Sequence, residues 1–143
     1  MKKISIILLL AIPFLIQCTG NKQAETDTDA DSYFIRMADS EMKRNPESWM
    51  VDFMDKIKWN YTHGLEMQAF IQVAEKTGNN KYFDYAVSYA DTMVNEDGSI
   101  KTYDLERYNI DHINPGKILF PIYQKTENPK YLKAIQLLKS QME

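Results

Sequence analysis

Two short stretches of this chain carry side chains that could do chemistry: Trp59, Tyr61 and His63 in one, Asp111 and His112 in the other. A carboxylate and two imidazoles can hold or move protons near neutral pH. Trp59 and Tyr61 can wall a pocket or fill a core. Both stretches lie where a helix is expected to begin. Helix N-termini present free N–H groups and partial positive charge, so a mouth built from two of them favours an anionic ligand. Each residue also has a plainer use. Asp111 can serve as a helix N-cap, accepting a hydrogen bond from the N–H of Ile113 or Asn114. His63 and His112 stand at one position of an internal repeat, which suits a shared structural role. No zinc-ligand spacing, phosphate loop or nucleophile elbow occurs, so neither a metal nor a cofactor is expected. No basic run occurs either, and nucleic acid is not an expected partner.

The elements that must position these residues follow from the repeat. The chain matches itself at an offset of 49 residues, pairing Asn60 with Asn109, His63 with His112, Lys76 with Lys125 and Thr77 with Thr126. Asn79 pairs with Asn128, Lys81 with Lys130 and Tyr82 with Tyr131. Conservative pairs fill the gaps: Trp59 with Tyr108, Phe70 with Leu119 and Phe83 with Leu132. A period of this length marks a stacked supersecondary unit.

The unit is a helical hairpin. Leu65, Ala69, Phe70, Val73 and Ala74 form a helical stripe that ends at Thr77-Gly78, with Gly78 suited to a C-cap. Tyr82, Phe83, Ala86, Val87, Ala90, Met93 and Val94 form the second helix, stopped by residues 95–98. In the second unit, Ile118, Leu119, Ile122 and Tyr123 mark the first helix, which Pro121 is expected to bend. Asn128-Pro129 then gives an N-cap and a proline at the first helical position, ahead of Tyr131, Ala134, Ile135 and Leu138. Upstream, Phe34, Ile35, Met37, Ala38 and Met42 follow helical spacing until Pro46, and Trp49, Met50, Phe53, Met54 and Ile57 suggest a further helix. Residues 99–105 are the one place where a short extended segment is plausible. The class is therefore all-α, and hairpins of about 49 residues suit an α-solenoid or a closed α/α toroid. Either arrangement needs neighbours to cover each hairpin's apolar faces.

The start of the chain reads as an address. Lys2 and Lys3 precede an apolar run from Ile4 to Ile16. That run is shorter than the ~20 residues a membrane-spanning helix needs, and it has the length of a signal-peptide core. Leu15-Ile16-Gln17-Cys18 follows and resembles a bacterial lipoprotein box, with Gln17 where a small residue is usual. Cys18 is the sole cysteine and cannot form an internal disulfide, so lipid attachment is its expected use. A plain secretory signal with an incidental cysteine is the alternative. Residues 1–18 are thus expected to be signal peptide and lipobox, and residues 19–31 a flexible acidic tether. Residues 32–143 are expected to form the folded domain. Export would place the protein at the membrane through its lipid alone. It would also remove Lys2 and Lys3, taking the net charge from −3 to −5.

The landmarks also occur in a recognisable order. Trp59-x-Tyr61-x-x-Gly64 comes first, followed by Lys76-Thr77-Gly78-x-x-Lys81-Tyr82 and Asp97-Gly98. Asn109-Ile110-Asp111-x-Ile113-x-Pro115-Gly116 and Leu119-Phe120-Pro121-x-Tyr123 complete the series. This succession resembles the N-terminal part of glycoside hydrolase family 105, the unsaturated rhamnogalacturonyl hydrolases. It is more distantly similar to the family 88 unsaturated glucuronyl hydrolases. The resemblance implies part of an (α/α)6 toroid. It also implies hydration of the C4=C5 bond of Δ4,5-unsaturated galacturonyl-rhamnose oligosaccharides derived from pectin. By the same resemblance Asp111 occupies an active-site position and Tyr61 a pocket wall. Trp59 and His63, from their place at the same helix start, are the further candidates for substrate binding. The family's principal acid/base aspartate lies in a Trp-Leu-Asp-Gly stretch that this sequence does not contain. The chain is accordingly expected to be inactive by itself. A surface-tethered helical-repeat binding module without catalysis is the alternative.

Overall fold

The structure, a computed structural model, describes residues 24–142, with side chains from residue 32 onward. The expected signal peptide, lipobox and Cys18 lie outside the described residues. So does residues 19–23 of the expected tether. The first helix, α1 (Ala24–Arg44), begins inside that tether and extends to just before Pro46. The physical reason is cooperativity. Once a downstream turn is nucleated, each added residue gains a backbone hydrogen bond for one residue fixed. The expected helix around Trp49 and Ile57 reduces to a 3₁₀ turn at Ser48–Met50. Asp52 and Phe53 take φ of 62° and 57°, values that a right-handed helix cannot accommodate.

Two hairpins follow. Helix α2 (Tyr61–Thr77) ends at Gly78, whose φ of 69° lets its N–H reach Ala74 O at 2.8 Å. Helix α3 (Asn80–Met93) starts under an Asn79 cap that accepts the Lys81 N–H. Val94 then turns extended and pairs in an isolated antiparallel bridge with Ile100, which lies within the segment expected to be extended. In the second unit, α4 (Ile110–Ile113) passes through a 3₁₀ segment at Asn114–Ile118 into α5 (Leu119–Thr126). Helix α6 (Pro129–Ser140) closes the series under an Asn128 cap. The expected bend at Pro121 is instead a restart. Pro115 tightens the backbone to 3₁₀, and Pro121 falls in the first turn of α5, where a missing N–H costs no intrahelical bond. No strand occurs among the described residues, and the fold is all-α.

The core runs between the hairpins. Met67, Phe70 and Ile71 of α2 and Tyr82, Tyr85, Ala86, Tyr89 and Met93 of α3 are buried. Ile118, Leu119 and Ile122 join them from the second unit, with Tyr131, Ala134 and Leu138 from α6. Burying each large apolar side chain contributes about 1.5–3 kcal/mol. The buried face of α2 is rotated from the expected stripe. Leu65 and Ala69 point outward, while His63 and Gly64 face in. Helix α1 packs on this body through Asp39, which accepts from Tyr82 OH at 2.9 Å and pairs with Lys81 at 2.7 Å. That pairing holds the Asp39 carboxyl below its usual range.

Candidate active site at the helix starts

The start of α2 is fixed by an aromatic stack. The Trp59 indole lies parallel to the Tyr89 ring at 5.9 Å, and His63 stacks on Tyr89 at 5.1 Å. Tyr89 OH donates to Lys58 O at 2.8 Å, and the Trp59 N–H donates to Thr102 Oγ1 at 2.8 Å. The loop that delivers the chain to Tyr61 is therefore tied down at Lys58 and Trp59. Trp59 also reaches across to the second unit. Its Nε1–H donates to His112 O at 2.7 Å in the buried interior. Trp59 stands two residues before Tyr61, and His112 follows Asp111. One hydrogen bond thus sets the start of α2 against the start of α4.

This arrangement divides the expected site residues. Tyr61 is exposed at the first position of α2, and Asp111 is exposed in the first turn of α4. The Asp111 carboxylate makes no hydrogen bond or ion pair among the described residues, so its lone pairs face solvent. Asp111 is not the N-cap. Asn109 fills that place, its Oδ1 accepting the Asp111 N–H at 3.0 Å. An asparagine two residues upstream reaches the first free N–H groups, which leaves the aspartate to interact with the helix dipole and whatever lies beyond it.

Trp59 and His63, expected to bind substrate, are fully buried and belong to the core. The physical reason is tertiary. Tyr89 offers both a stacking face that excludes water, and the carbonyls of Trp49 and His112 take their polar edges. His63 Nε2 lies 3.1 Å from Trp49 O. A carbonyl can only accept, so Nε2 carries the proton and Nδ1 is a bare lone pair. That Nδ1 is buried without a partner, as is Nδ1 of His112. Burial pushes the His63 pKa down, with the Trp49 carbonyl acting against it. His63 therefore sits in the packed interior rather than at the mouth. His112 is also buried, and its contribution is the carbonyl that Trp59 holds.

Other residues at this end have no sequence signal. Tyr108 is 70% exposed with φ of 48°, and Thr102, which anchors Trp59, has φ of 64°. Left-handed backbone at residues other than glycine is costly and concentrates at functional loops. Glu66 also escaped the sequence reading. Burial, then Glu41 and Asp52, push its carboxyl up to about 7. It faces α1 rather than Asp111. Among the described residues no group of three His, Cys, Asp or Glu side chains could hold a metal ion.

The hairpin stack thus presents a tyrosine, Tyr61, and a carboxylate, Asp111, at the starts of α2 and α4. The comparisons with known proteins supply the class. The sequence model of Glycosyl Hydrolase Family 88 matches residues 33–143. The chain belongs to that family. A solved structure of a family 105 glycoside hydrolase from C. acetobutylicum ATCC 824 superimposes with a TM-score of 0.68 at 40% sequence identity. The match covers 77% of this chain and 29% of that one, so the chain spans under a third of its relative's length.

Proposed function

We propose that this chain supplies one side of an active site that hydrates the C4=C5 bond of a Δ4,5-unsaturated galacturonyl-rhamnose oligosaccharide. The observation that carries the reading is the bond from Trp59 Nε1 to His112 O, which holds Tyr61 and Asp111 at one end of the hairpin stack. The substrate is a vinyl ether. A general acid protonates C4, positive charge develops at C5 and the ring oxygen, and water adds to C5 while losing a proton to a base. The hemiketal so formed opens and releases the sugar. Asp111, exposed and without a side-chain partner among the described residues, suits the negative half of this chemistry: holding charge near the developing cation, or taking the proton from water. Tyr61 forms the adjoining wall.

The proton for C4 needs a second carboxyl group with a raised pKa. Among the described acids only Glu66 has one, and its position argues against the role. It stands five residues beyond Tyr61, about 140° around α2 at 3.6 residues per turn, on the α1 side. The donor therefore belongs to a part of the enzyme other than the described residues. The assay follows loss of the double-bond absorbance. This chain alone is expected to show no turnover. The chain joined to the remaining part of its family 105 relative is expected to be active, and Asp111→Asn in that protein to lose about 10²-fold or more. Full activity in that variant would return Asp111 to a purely structural place, and turnover by the chain alone would overturn the two-carboxylate scheme.

A further inference from the structure

Helix α1 meets α2 across a groove lined by Phe34, Met37, Ala38, Phe70 and Val73, with two carboxyl groups, Glu41 and Glu66, set into it. The two are provided for very differently. Both oxygens of Glu41 are taken, one by the Arg44 guanidinium and one by the Asn45 side-chain amide. Glu41 is only 22% exposed. Glu66, half-buried on α2, has no hydrogen bond or ion pair among the described residues. Tyr85 OH, the nearby donor on α3, is spent on Asn45 O at 2.6 Å.

The groups facing Glu66 are known from each element around it. Glu41 and Arg44 act from α1 and Asp52 from the loop before α2. Tyr85 faces it from α3 and is itself pushed up by burial, then by Glu41 and Glu66. Lys43, Arg36 and Asp39 also line the groove, and Asp39 is occupied by Lys81. The near charges are therefore two carboxylates against one guanidinium, and Glu41 already holds that guanidinium. A neutral Glu66 adds a packed side chain to the α1–α2 contact. An ionised Glu66 adds a third negative charge to a half-buried site.

We propose that Glu41 and Glu66 form a proton-operated latch: α1 seats on α2 while Glu66 is protonated and loosens from it when Glu66 ionises. The sign follows from linkage. The folded-state pKa of Glu66 is raised from 4.5 to about 7, so its stabilisation of the seat is full below 4.5 and is lost as pH rises through about 7. His63 has the opposite sign. Its pKa is lowered, so its effect is a loss of stability as pH falls, and it acts on the α2–α3 body instead of the α1 seat.

Amide hydrogen exchange of the full 143-residue chain tests the latch. The readout is the protection of α1 relative to that of α3, corrected for intrinsic exchange rates. Between pH 5 and pH 8 this ratio is expected to fall by about tenfold or more in the wild type, and to stay flat in Glu66→Gln. A flat ratio in the wild type, or an undiminished fall in Glu66→Gln, overturns the proposal. Should Glu66→Gln lose protection in α3, and so fail to fold, Glu41→Gln replaces it. Removing the neighbouring charge must then move the fall to lower pH, and an unmoved profile overturns the latch.

Discussion

In the first hairpin unit Thr77, Gly78 and Asn79 turn the chain, and in the second Thr126, Glu127 and Asn128 make the same turn. Thr77 Oγ1 donates to Val73 O at 2.7 Å, as Thr126 does to Ile122 O at 2.8 Å. Asn79 and Asn128 each accept a lysine N–H at 3.1 Å. Lys81 and Tyr82 grip Asp39 on α1, and Lys130 and Tyr131 grip Asp91 on α3. At the opposite end the units part. Helix α2 runs unbroken from Tyr61, while the matching stretch breaks into α4, a 3₁₀ segment and α5. The break falls where the second unit is wedged, with Pro115 against Gly64 of α2 and Gly116 against Leu138 of α6. The turns carry the part of the repeat that stacking requires. The helix starts, which carry Tyr61 and Asp111, keep the Asn60/Asn109 and His63/His112 pairs but differ in backbone.

The sharpest way to break this comparison is at the wedge. A Cβ at Gly64 would stand 2.5 Å from Pro115 Cα and 2.9 Å from its Cβ, and a proline backbone cannot swing aside. Gly64→Val should therefore push the second unit off α2 and cost about 3 kcal/mol, the upper part of the range for overpacking. Urea denaturation measures it. An unchanged midpoint would mean that the two units do not rest on each other at this point.

The shared grip offers a second, smaller test, because its two copies are buried unequally. The Lys130 side chain is 8% exposed, against 45% for Lys81. Lys130→Met leaves Asp91, half-exposed, without its buried partner and should cost about 2 kcal/mol, less than a fully buried pair would lose. Lys81→Met should leave the midpoint where it is, since solvent screens that pair. Equal losses from the two variants would show that the grips are equivalent despite their different burial.

These contrasts bear on what the sequence could reveal. The offset of 49 residues located the hairpins closely, since Tyr61 and Thr77 map onto Ile110 and Thr126, the outer bounds of the second unit's broken helix. Turn chemistry is local, so Gly78 and Asn128 could be read from neighbours a few residues away. The site was less legible because its determinants are distant in sequence. Trp59 and His63 are buried by Tyr89, and Trp59 is held by Thr102 and His112. Periodicity also could not foresee the left-handed pair Asp52 and Phe53, which ended the helix expected there. Nor could composition distinguish Asn109 from Asp111 as the cap, because both residue types suit that position.

The finest difference between the two turns lies at their middle residue. Gly78 and Glu127 both cap a helix in left-handed conformation, at φ of 69° and 54°, and each N–H returns to the carbonyl four residues back at 2.8 Å. Glycine adopts this φ without strain, whereas a glutamate's Cβ meets the following carbonyl at a cost of roughly 1–2 kcal/mol. Glycine also loses more backbone freedom on folding, which offsets part of that gain. Glu127→Gly should therefore stabilise the chain by about 0.5 kcal/mol, and Gly78→Ala should destabilise it by about 1 kcal/mol. Both shifts are readable as small displacements of the urea midpoint at constant slope. If Glu127→Gly were instead destabilising, the glutamate side chain would be contributing something at this turn that its exposed position does not reveal, and the two turns would share their geometry without sharing its cause.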